Sequence, residues 1–83
     1  MNNVKYNQWF AIGEIIKIDV VNGKKVGFQL MIEPDHVEDI ILTVEYGEVE
    51  SIQIGKIVRA SGIRRTTRSK EKGFCEEIIL TNI

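Results

Sequence analysis

The dipeptide Asn22-Gly23, set between two apolar runs of period two, constrains this chain more than any other feature. Asparagine followed by glycine tolerates the positive φ values that both central residues of a type I′ turn require, and such a turn joins antiparallel strands. Before it, Phe10, Ile12, Ile16, Ile18 and Val20 share one parity; after it, Val26, Phe28, Leu30 and Ile32 alternate again. A β-hairpin therefore opens the fold. Gly13 interrupts the first run where a curved strand would carry a bulge or bend.

The rest of the chain reads in the same way. Glu33-Pro34-Asp35-His36 is a turn, and a third strand is expected from about Asp39 to Tyr46. The stretch from Gly47 to Gln53 has room for a turn or two of helix at most. A fourth strand starts at Gly55-Lys56-Ile57-Val58 and reaches Arg64 or Arg65, with Gly62 as a second bulge. Thr66 to Gly73 reads as a polar, flexible connection, and Phe74 to Thr81 as a fifth strand. Five short, bulged strands suit a closed barrel, because flat sheets would leave long open edges. The expectation is one all-β domain over residues 1–83, with at most a short helix between strands three and four.

Several function classes lose support early. No apolar stretch approaches the ~20 residues of a membrane-spanning helix, and Met1 to Gln8 has no apolar core of a secretory signal. A soluble, cytoplasmic protein is the expectation, with no membrane partner. The one cysteine, Cys75, and the one histidine, His36, form no zinc-ligand pattern and no nucleophile–base pair. Neither catalysis, nor a metal, nor a cofactor is expected.

Net charge is −1, but its distribution is uneven. Acids crowd from Glu33 to Glu50 with no Lys or Arg among them. Bases crowd from Lys56 to Lys72 against Glu71 alone. One end of the domain should be acidic and another basic, and the basic end could steer a polyanion.

The order of these pieces resembles an OB-fold, and within it the single-stranded-DNA-binding protein family. Asn7-Gln8-Trp9-Phe10-Ala11-Ile12-Gly13 is similar to that family's opening Asn-Lys-Val-Ile-Leu-Ile-Gly strand. Asn22 to Leu30 resembles its first hairpin and second strand. Val44-Glu45-Tyr46-Gly47 looks like the Val-x-Phe-Gly that ends its third, and Gly55 to Gly62 like the Gly-x-x-Val-x-Val-x-Gly of its fourth. Glu76-Glu77-Ile78-Ile79 is akin to its fifth. The resemblance implies a five-stranded OB-fold barrel that stacks bases on aromatic rings and holds phosphates with basic residues. It departs where His36, Ile40 and Ser69 stand at positions the family often fills with tryptophan. It departs again at Asn82-Ile83, where the family's acidic tail is missing, so the expectation is a minimal domain.

Candidate contacts follow from residue type and place. Arg64, Arg65, Arg68, Lys70 and Lys72, interleaved with Thr66, Thr67 and Ser69, offer phosphates cations and hydroxyls; otherwise they are a solvated hairpin tip. Arg59 precedes them on the fourth strand. Trp9 and Phe10 are adjacent, so they face opposite sides of a strand. Phe10 shares parity with Ile12 and is expected in the core, which leaves Trp9 outside. There it either stacks a base or is covered by the N-terminal residues or a partner subunit. Tyr46 matches a stacking position of the family, but parity argues for its burial. Phe74 is either a stacker or a barrel cap. On the third strand the family match puts Ile40, Leu42, Val44 and Tyr46 on the ligand side, whereas hydrophobic parity puts them in the core.

The function expected is sequence-tolerant binding of single-stranded DNA in replication or recombination, with replication proteins as further partners. RNA is an alternative strand, since nothing here reads a 2′-hydroxyl. A dimer or tetramer is expected, because one small barrel offers few contacts. The rival is an OB-fold protein–protein adaptor or subunit whose charged ends dock neighbours.

Overall fold

A computed structural model describes residues 7–69, 71 and 73–83, with only the backbone for 67–69. The strands are β1 (Asn7–Val21), β2 (Lys24–Glu33), β3 (His36–Ile41), β4 (Ile57–Ser69) and β5 (Gly73–Asn82), with one 3-10 turn at Val44–Glu48. They close into a barrel in the order β1-β2-β3-β5-β4. All pairings are antiparallel except β3 with β5, where Ile40 and Ile41 lie opposite Ile78 and Ile79. The long first strand serves two neighbours, β4 through Asn7–Glu14 and β2 through Glu14–Val21.

The hairpin between β1 and β2 turns as its dipeptide predicts, with φ of 52° at Asn22 and 77° at Gly23. Gly13 has a different role from the one expected. Two bulges do bend the hairpin, but they fall at Ile15/Lys17 and Asp19/Val20. Gly13 instead permits close approach: a Cβ there would lie 2.5 Å from the Met31 carbonyl oxygen and 3.0 Å from Leu30 Cγ. The register does shift at Ser61/Gly62, as expected of β4.

The first bulge reverses the core assignment of β1. Ile15 pairs with Leu30 and Lys17 with Gln29, so Ile16 is the extra residue and parity changes there. Ahead of it the odd positions Trp9, Ala11, Gly13 and Ile15 face inward. Trp9 is only 8% exposed and Phe10 is 64% exposed, the opposite of the sequence expectation. Complementary size explains the preference: Trp9 lies across from Gly62, and Ala11 across from Ala60. Gly62 is needed for another reason as well, since a Cβ there would lie 3.1 Å from the Ile79 carbonyl carbon on β5.

Phe28, Leu30, Ile40, Leu42, Ile78 and Leu80 complete the wall of the core. Parity holds through β3 and the residue after it, since Ile40 and Leu42 are buried and Ile41 is exposed. Val44, which parity also put in the core, is 84% exposed because the sheet has ended before it. The strand stops at Ile41, short of the expected Tyr46, because the chain enters the 3-10 turn. Tyr46 leaves the sheet there, and its hydroxyl donates to the Thr81 carbonyl. Ile52 then plugs this end of the barrel, fully buried. Lys25 locks the plug, its Nζ donating to the carbonyls of Val49 at 3.1 Å and Ile52 at 2.7 Å.

At the other end the structure replaces an expected loop with sheet. Thr66 to Ser69 continue β4 and pair with Gly73 to Glu76 of β5. β4 meets β1 only as far as Arg64. Past that point the described pairing of β4 is with β5 alone, a two-stranded arm running on from the barrel.

Candidate nucleic-acid interface

Four residues expected at a strand-binding surface are already engaged within the fold. Trp9 is part of the hydrophobic core with 8% of its surface exposed, so it is not an open stacking platform. Tyr46 is half-buried, packed against the core and tied to Thr81. Arg65 donates to Glu77 Oε2 through Nε at 3.1 Å and Nη2 at 2.9 Å. Arg64 lies with Nη2 3.7 Å from Glu38 Oε2.

Those ion pairs alter the charge reading as well. Acidic and basic segments are separate along the chain, but β5 sits between β3 and β4 in the barrel. Arg64 therefore reaches across β5 to Glu38, and Arg65 meets Glu77 on the adjacent strand. Both pairs are half-exposed, so they add little to stability. They do offset part of the positive charge expected on this side.

The remaining candidates form two groups. Phe74 is 75% exposed at the start of β5, opposite Arg68 in the register. The pairing puts an aromatic residue and a cation at one level of the arm. The side chain of Arg68, and Lys70 and Lys72 altogether, lie outside the described residues. Arg59 is apart from the arm, exposed on the outer face of β4 opposite Ile12, and among the described residues it makes no ion pair.

Sequence reasoning missed the surface around Arg59. Phe10, Ile12 and Ile57 are exposed on the outer face of the β1–β4 pair, with half-buried Ile63 and Ile79 continuing it onto β5. An open groove of about 740 Å³ runs here, lined by Gln8, Phe10, Ser61, Ile63 and Thr81 and bordered by Trp9 and Gly62. Thr81 Oγ1 donates to the Ser61 carbonyl at 3.4 Å across its floor. The signal was present in the sequence as the Trp9-Phe10 pair, but it was read with the two faces exchanged.

No group of three or more His, Cys, Asp or Glu gathers into a metal-holding cluster among the described residues. Among them, too, no helix is long and apolar enough to cross a membrane. Comparison with protein-family models, with curated proteins and with solved structures finds no match to this chain.

Proposed function

We propose that the chain is an OB-type barrel that binds single-stranded DNA with little sequence preference, in replication or recombination. The observation that carries this reading is the β4–β5 arm, with its exposed Phe74 opposite Arg68. A base can stack on such a ring whatever its identity, while neighbouring cations take the backbone phosphates. Lys70 and Lys72 follow Arg68 in the sequence and belong to the same proposed contact. The closed order β1-β2-β3-β5-β4, plugged at one end by Ile52, supports the OB-type assignment. RNA would meet the same ring and charges, so a DNA preference is part of what must be measured.

The outer face of β1 and β4 favours a second reading. Phe10, Ile12 and Ile57, at 64%, 46% and 74% exposure, make an apolar surface on one side of a sheet. Such surfaces mark protein contacts on otherwise polar domains. A second copy covering it would give the proposed homo-oligomer; a different protein covering it would make the barrel an adaptor.

One experiment separates these readings. A labelled poly-dT oligonucleotide is titrated by fluorescence anisotropy at low salt while native mass is measured on the same sample. Saturable binding supports the DNA reading. No change at tens of micromolar protein, with a native mass of one chain, would leave the adaptor.

A further inference from the structure

Arg64 and Arg65 are neighbours in sequence, yet their guanidinium groups are engaged very differently. Arg65 uses one whole edge, Nε and Nη2, on the carboxylate of Glu77. The same edge of Arg64 is unfilled. Its Nε is buried and has no hydrogen-bond partner among the described residues. Its Nη2 stands 3.7 Å from Glu38 Oε2, well beyond the ~2.7–2.9 Å of a good charged hydrogen bond. The other oxygen of Glu38 is drawn away, at 2.9 Å from His36 Nε2.

A buried donor without a partner loses its bonds to water and regains none, so its retention calls for a reason. The position of Arg64 suggests one. It lies opposite Asn7 of β1 and Ile78 of β5, at the root of the arm. Its side chain is 37% exposed although Nε itself is covered, so a ligand that engages this edge must displace what lies over it. The Nε/Nη2 edge of a guanidinium matches two oxygens of one phosphate, a geometry that lysine cannot offer.

We infer that this edge of Arg64 is a phosphate receptor for the bound strand, and that Glu38 is an internal stand-in that a phosphate displaces. On displacement Glu38 keeps its contact with His36, while Nε and Nη2 of Arg64 take two phosphate oxygens. The inference rests on the DNA reading and adds to it a carboxylate that competes with the ligand.

The test is a set of titrations with a labelled dT oligonucleotide, using the wild type, Glu38→Gln, Arg64→Gln, the double variant and Asp39→Asn. Asp39 is the next residue on β3 and is exposed, so its variant controls for the loss of one negative charge. Glu38→Gln should tighten binding by about fivefold, more than Asp39→Asn, as expected when one ion pair is released to a phosphate. It should also steepen the log–log salt dependence by about 0.7, because in the wild type the displaced Glu38 recruits a counterion that offsets the one phosphate Arg64 neutralises. Both gains should vanish in the Arg64→Gln background. Gains that match Asp39→Asn, or that survive Arg64→Gln, would overturn the receptor while leaving DNA binding intact. Failure of all five proteins to bind would overturn the DNA reading and the receptor together.

Discussion

Trp9 is the side chain whose placement separates this structure most sharply from a stacking platform. It belongs to the same buried cluster as Ala11, Ile78 and Leu80, with 8% of its surface exposed. A tryptophan buries roughly 150–250 Å², which at ~25 cal/mol per Å² is about 4–6 kcal/mol. Truncation of a core aromatic residue to alanine costs about 3–5 kcal/mol. An 83-residue chain has about 4–12 kcal/mol of stability in total, at ~0.05–0.15 kcal/mol per residue. Trp9→Ala should therefore remove a large share of it and leave a domain that unfolds in low urea. The assay is equilibrium urea denaturation followed by circular dichroism, since the variant loses the only tryptophan. In the wild type, that same residue reports its own environment. Its emission should be blue-shifted when native, resist acrylamide quenching, and stay unchanged when an oligonucleotide is added. Red-shifted native emission with ready quenching, or a Trp9→Ala variant of unchanged stability, would refute the inward placement of β1's odd residues.

Three further outcomes follow from other parts of the fold. Gly23→Val puts a β-branched residue at φ 77° and should cost at least 1–3 kcal/mol, an order-of-magnitude figure read from urea midpoints. Lys25→Met keeps the length of the side chain but removes its bonds to the carbonyls of Val49 and Ile52; the expected loss is about 1–3 kcal/mol, with faster amide exchange from Val49 to Gly55. Phe10→Asp sits on an exposed position and should lower native mass by sedimentation without lowering the melting temperature of the monomer. Unchanged mass from an oligomeric wild type would move the subunit contact elsewhere.

How much of this was legible in the sequence depended on how local each determinant is. The Asn22-Gly23 turn is encoded in two residues, and its geometry matched. The alternation of Phe28 with Leu30, and of Ile40 with Leu42, identified buried positions because no bulge intervenes within either pair. In β1 the same rule failed, since one extra residue at Ile16 exchanges the faces on either side of it. Period-two counting cannot locate such a bulge without the partner strand. The end of β3 was misplaced because the chain turns into the 3-10 segment Val44–Glu48, where Tyr46 meets Thr81, 35 positions away. For the same reason the sequence did not reveal that Arg64 and Arg65 are paired. Glu77 faces Arg65 only once the β4–β5 register is set, and Glu38 comes within reach of Arg64 only after β5 inserts between β3 and β4. The polar run from Thr66 to Ser69 looked like a loop by composition, yet cross-strand pairing holds it in β4.

Salt-dependent binding of poly-dT to the wild-type protein tests the central claim most directly. With Arg65 offset by Glu77, and the phosphate on Arg64 balanced by the counterion that displaced Glu38 recruits, about three of the other cations (Arg59, Arg68, Lys70 and Lys72) are expected to set the salt dependence. The account predicts saturable binding whose log–log slope against salt is near −2 per chain, from about −0.7 per phosphate on a single strand. Mixed-sequence oligonucleotides should bind with similar affinity. Absence of binding at low salt, or an affinity indifferent to salt, would contradict it.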